Sequence, residues 1–238
     1  MTNLNIPGNS NETLEADAQK SRSKIVELLK GSKTLLIGDV AAAIGLKEEE
    51  KTLPNGRTVK SVNWTPENLA PAYQAVNQCR EESGLGRNDS VTIDGACPTF
   101  VLPALSHAMH PTQTSVAYPQ GNTSIPLSGA AVEGAGQAKD VTLKVTETDD
   151  TIVVEFNLAQ PTIDAAETVK GLIAPALPSQ GKGVCVTGRG PVALAAALAE
   201  AYAHKVPYIA NFVPGTGYVV SISHDAKFPL GTVIPAKK

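Results

Sequence analysis

Residues Gly183 to His204 read GVCVTGRGPVALAAALAEAYAH: a short apolar run, then Gly-Arg-Gly-Pro, then an alanine-rich stretch. The apolar run predicts a buried strand, and the residues after the turn predict a helix with Pro191 in its first turn, where a missing N–H costs nothing. A strand feeding a helix through a Gly-rich turn is the elementary α/β unit. The backbone N–H groups of such a turn favour an anion, and Arg189 adds charge to it. A plain tight turn with a solvated arginine is the competing reading of the same residues.

The flanks extend the unit. VTLKVTETDDTIVVEFNL (141–158) has two β-branched alternating runs around Asp149-Asp150, which predicts an antiparallel hairpin. TIDAAETVKGLIAPAL (162–177) predicts a helix opening near Thr162 or Asp164 and ended by Pro175 and Pro178. PYIANFV and GYVVSIS predict two strands joined by Pro214-Gly215-Thr216-Gly217.

A fainter copy lies upstream. VTIDGACPTFVLPALSHAMHP (91–111) aligns without gaps, Val91 with Val184, Gly95 with Gly188, Pro98 with Pro191, Leu105 with Leu198, and Ala108 with Ala201. VKSVNWTPENLAPAYQAV (59–76) corresponds in the same way to VVEFNLAQPTIDAAETVK (153–170). The expected architecture is therefore α/β, two tandem copies of a small unit forming a pseudo-dimer, with a helical N-terminal extension. Its boundaries are a disordered lead-in at 1–21, a helical extension at 22–50, a degenerate first unit at 51–130, a linker at 131–140 and a second unit at 141–238. The Gly-, Ala-, Ser- and Thr-rich stretch 121–139 reads as the junction. Residues 22–50 also have a helix-turn-helix cadence, but Glu48, Glu49 and Glu50 follow in place of a basic recognition helix.

Composition narrows the function. The 238 residues carry 20 basic against 23 acidic side chains, a net charge of −3, which argues against coating long nucleic acid by charge. Cys79, Cys97 and Cys185 have no CxxC spacing, so neither a zinc nor a disulfide framework is indicated, and Cys97 and Cys185 read as core residues. The polar start has no signal-peptide pattern, and no apolar run reaches membrane-spanning length. These features fit a cytoplasmic protein.

The stretch 183–225 resembles the type III CRISPR-associated accessory proteins that act as manganese-dependent ring nucleases on cyclic tetra-adenylate. The carrying residues are Thr187-Gly188-Arg189-Gly190-Pro191, Tyr202 with His204, Pro214 with Gly217, and Ser223-His224. The resemblance covers most of the second unit and reaches the first only through the repeat. It implies a homodimer that binds cyclic oligoadenylate across its two-fold axis, with catalytic residues from facing subunits. Carried to this chain, it implies ligand binding by Thr187, Gly188, Arg189, Gly190, Pro191, Gly95 and Ser223, and catalysis by His107, His110, His204 and His224. It also implies Mn²⁺ on His110 and His224, and a homo-oligomer.

Three departures bear on this. Val213 stands where the family has an acidic residue. Glu200, Ala203 and His204 fall where it has helix-end histidines, and the first unit has Gly95-Ala96-Cys97 in place of Gly-Arg-Gly. Arginine thus sits in one unit and a histidine pair, His107 with His110, in the other. Ring opening needs the ribose 2′-OH deprotonated and the leaving 5′-oxygen protonated; imidazole suits both transfers, with Asp94 and Asp225 as the available carboxylates. A ring nuclease, a turnover-deficient sensor or sponge, and a CRISPR partner-docking protein all remain open, as does an unrelated metabolic α/β scaffold.

Overall fold

The computed structural model describes residues 10–52, 56, 58–118 and 123–236. In chain order these form α1 (Ser10–Lys30), β1 (Thr34–Leu36), α2 (Ile37–Ala43), β2 (Glu48–Thr52), β3 (Thr58–Val62), α3 (Leu69–Ser83), β4 (Ser90–Asp94), α4 (Val101–Ala108), β5 (Gln113–Tyr118), β6 (Thr123–Pro126) and β7 (Ala131–Val132). There follow β8 (Val141–Glu147), β9 (Thr151–Leu158), α5 (Ala165–Lys170), β10 (Ile173–Ala174), β11 (Gly183–Gly188), α6 (Val192–Tyr202), β12 (Tyr208–Val213), β13 (Gly217–Ser223) and β14 (Val233–Ile234). The class is α/β, as expected.

The second half follows its local chemistry closely. β8 and β9 make the antiparallel hairpin, pairing Val141 with Leu158 through Glu147 with Ile152. Along β9 the alternate residues Ile152, Val154 and Phe156 are buried, so one face of the strand lies on the core. β9, β11 and β12 run parallel, β13 returns antiparallel, and the sheet order is β14-β13-β12-β11-β9-β8. Asp164 caps α5 by accepting from the N–H groups of Ala166 and Glu167 at 3.0 and 3.2 Å. The helix is shorter than its sequence pattern, because Gly171 closes it and Ile173-Ala174 pair with β7 instead.

The first half differs more from expectation. Its sheet has the order β1-β4-β5-β6, and the strand beside β4 is β1, not the 59–62 stretch, which pairs with β2 in a separate hairpin. Segment 22–50 is thereby part of the sheet, and α1 packs on α2 and α3. Helix α1 begins at Ser10, so residues 10–21 are helical where a disordered lead-in was expected; residues 1–9 lie outside the described residues. Stretch 123–139 contains β6 and β7 in place of a structureless junction, and residues 121 and 122 again lie outside the described residues. In both sheets three neighbouring strands run parallel and the next returns antiparallel: β1, β4, β5, β6 in one and β9, β11, β12, β13 in the other.

Helices α4 and α6 pack against each other where the halves meet. Ala193, Ala195, Ala196, Ala197 and Ala199 are buried, and small side chains on nearly every side let α6 sit close against α4, α5, β11 and β12. Tyr202, fully buried, donates its hydroxyl hydrogen to the Pro175 carbonyl at 2.8 Å, which gives this tyrosine a structural role. Among the described residues no helix is long and apolar enough to cross a membrane.

Candidate functional site

The Gly-Arg-Gly-Pro turn lies where β11 passes into α6. Both glycines are demanded by packing. Gly188 has φ +155°, and a Cβ there would lie 2.6 Å from the Phe156 ring; one on Gly190 would come within 3.0 Å of the same ring and 3.2 Å of Leu158. Backbone tightness leaves Arg189 exposed at the tip. Beside it runs a groove of about 1070 Å³ lined by Thr187, Gly188, Gly190, Glu155, Asn157, Gln160 and Phe212. Thr99 joins the rim from the first half, its hydroxyl donating to the Phe212 carbonyl at 3.2 Å. Phe212 meets Tyr218 edge-on with ring centroids 5.4 Å apart.

A guanidinium, two side-chain amides and an aromatic ring around one open groove suit an anion attached to a flat heterocycle. Pro191 and Gly95 are not in it. They line a neighbouring apolar cleft of about 230 Å³ with Cys97, Leu102 and Val116. Gly95 is also a packing glycine, with φ +123° and a hypothetical Cβ 3.1 Å from the Ile37 Cβ.

The chain's four histidines gather at the other end of the helix pair. His107 is in the last turn of α4 and His110 just beyond it, His204 follows α6, and His224 follows β13. Ring centroids are 4.7 Å apart for His110 and His204, 5.2 Å for His107 and His224, 5.3 Å for His107 and His204, 5.7 Å for His204 and His224, and 6.1 Å for His107 and His110. His107 lies at the bottom, 7% exposed, and its Nδ1 has no partner. The other three are exposed above it. Burial, reinforced by repulsion from His224, His204 and His110, pushes His107 down to about 3, which keeps it neutral. Burial, then repulsion from His204, Arg87, Arg80 and His224, also lowers His110.

His224 Nε2 lies 2.7 Å from the Ala203 carbonyl, which can only accept, so Nε2 carries the hydrogen and Nδ1 is left with its lone pair. Ser223 is held by its own turn, donating to the Asp225 carbonyl at 3.1 Å and accepting from the Asp225 N–H at 3.3 Å. Asp225 caps the following turn by accepting from Lys227 N–H at 2.9 Å. Asp94 lies at the end of β4 in an acidic depression with Asp39 and Glu48.

A further buried group lies in the last turn of α6. Glu200, one turn before His204, is driven up to about 7 by burial, opposed by a hydrogen bond from Ser106, and its Oε1 has no partner. Its signal in the sequence is that it is the single charged residue of the otherwise apolar VALAAALAEAY stretch.

Arg189 and the histidines do not meet within one chain. The 11 residues of α6 separate them by about 16 Å of helix, so one copy does not bring Arg189 and the histidines to the same phosphodiester. Ser223 lies at the histidine end, since it pairs with Tyr208 while Gly217 pairs with Val213 near the groove. As the rings stand, no three His, Cys, Asp or Glu side chains among the described residues are disposed to hold a metal ion.

Comparison with known families and proteins bears on the second half. A comparison with curated proteins finds no match. The family described as CRISPR-associated protein (Cas_csx3) matches residues 157–235, a span that holds Arg189, His204, His224 and much of the groove's lining, so this part of the chain is similar to a CRISPR-associated family.

Proposed function

We propose that the protein binds cyclic oligoadenylate in the Arg189 groove as an accessory of CRISPR defence. The observation that carries this is the exposed Arg189 above a groove with Asn157, Gln160 and Phe212, inside the residues similar to a CRISPR-associated family. The guanidinium grips a phosphodiester bidentately, Phe212 offers a stacking face, and the amides can read an adenine edge. We read the shared strand order of the two halves as a tandem duplication, a dimer fused into one chain.

Cleavage sets a further requirement. A neutral imidazole takes the 2′-OH proton, the 2′-oxygen attacks its own phosphorus, and an imidazolium protonates the departing 5′-oxygen, leaving a 2′,3′-cyclic phosphate and a 5′-OH. With the histidines about 16 Å of helix away from Arg189, a second copy must present its cluster to the groove. The Mn²⁺ implied by the resemblance does not fit the groups present: Val213 replaces the acidic residue, and the remaining set is imidazole, whereas Mn²⁺ favours oxygen donors. No step is routed through it.

The same separation supports a second reading, a sensor or sponge that holds the messenger without turnover. Incubation with labelled cyclic tetra-adenylate, with and without Mn²⁺, decides. Retention with cleavage supports the nuclease, retention alone the sponge, and no retention overturns both.

A further inference from the structure

We propose that the four-histidine cluster is a binding site for a late first-row divalent cation, with Zn²⁺ and Ni²⁺ far preferred over Mn²⁺. The argument rests on the cluster alone and stands whether or not the groove binds a nucleotide; an ion held by all four rings leaves no imidazole nitrogen free for proton transfer, so it accords with binding without turnover.

Four imidazoles set tetrahedrally around zinc at about 2.0 Å have ring centroids about 5 Å apart. Five of the six ring pairs, all but His110 with His224, are 4.7 to 6.1 Å apart. As they stand the rings do not converge on one point, so binding requires χ rotation, which the exposure of His110 and His204 permits while the Ala203 bond holds His224. Two features prepare the donors. The His224 Nε2–H bond to the Ala203 carbonyl fixes the tautomer and leaves Nδ1 as a ligand, the arrangement in which an outer partner orients a metal-bound imidazole. His107 Nδ1 is buried and unpartnered beneath the other rings, a polar atom whose burial is otherwise uncompensated.

Nitrogen-only donors rank the metals. Affinity rises from Mn²⁺ through Ni²⁺ and Cu²⁺, with Zn²⁺ also favoured by imidazole, and Mn²⁺ lacks here the carboxylate it prefers. An ion at this point would join α4 of the first half to α6 and β13 of the second.

The test titrates metal-free protein separately with Zn²⁺, Ni²⁺ and Mn²⁺, following calorimetric stoichiometry and the thermal unfolding midpoint. We expect one Zn²⁺ or Ni²⁺ per chain, bound roughly tenfold or more tighter than Mn²⁺, with a raised midpoint. His110→Ala with His204→Ala should remove the binding, while Arg189→Ala and Cys97→Ser leave it intact. His224→Gln, on an exposed ring, should weaken it and guards against misfolding of the double variant. Equal or tighter binding of Mn²⁺, no binding of Zn²⁺, or Zn²⁺ binding that survives the histidine substitutions overturns the proposal.

Discussion

The rings of His110 and His204 lie 4.7 Å apart although the residues belong to opposite halves of the chain. The contact exists because α4 and α6 pack side by side and end at the same level, each delivering histidine from its C-terminal side. Beneath them His107 holds an unpartnered Nδ1, and burial of a polar group without a partner costs about 1–3 kcal/mol. His107→Leu should therefore leave the metal-free protein as stable as the parent or about 1 kcal/mol more stable. Urea unfolding checks this; a loss of several kcal/mol would mean that Nδ1 is satisfied by a group not assigned to it.

Glu200 gives a pH signature. Its folded value of about 7 is raised above the ordinary 4.5, so the folded state holds a proton that the unfolded state has released. The contribution is fully present below pH 4.5 and lost as pH rises through about 7. Glu200→Gln should match the parent near pH 4.5 and exceed it at pH 8 by on the order of 2 kcal/mol. Parallel stability curves across that window would place the carboxyl in solvent.

Turn residues should separate fold from function. Gly188→Ala drives a methyl group into Phe156 and should cost about 1–3 kcal/mol. Arg189→Ala removes only an exposed side chain and should change stability by less than about 0.5 kcal/mol. Thermal melts of the two variants compare them directly.

How much of this was legible in the sequence depends on the segment. The hairpin at 141–158, the Asp164 cap and the strand before Arg189 follow from alternation and turn chemistry that act locally. β1 was not legible: three strand residues, Thr34–Leu36, run directly into α2, and an apolar stretch that short carries no period of its own. The sequence offers the functional candidates as residue types, but their grouping is not readable from it. Whether Arg189 faces the histidines depends on which end of α6 each occupies in three dimensions, and whether Gly95 is a ligand or a packing residue depends on Ile37, far away in sequence.

If cleavage needs the groove of one copy and the histidines of another, the rate per chain should rise with protein concentration. Ring-opening assays over a wide dilution range test it; a specific activity independent of concentration would place both functions in one chain.

The central claim is that Arg189 forms a ligand grip for cyclic oligoadenylate. Calorimetric binding of cyclic tetra-adenylate to the parent and to Arg189→Ala tests it most directly. Saturable binding by the parent, lost or weakened roughly tenfold or more in the variant, is predicted, since a charge-assisted bidentate contact contributes at least that much. Absence of binding by the parent, or equal affinity in the folded variant, would contradict it.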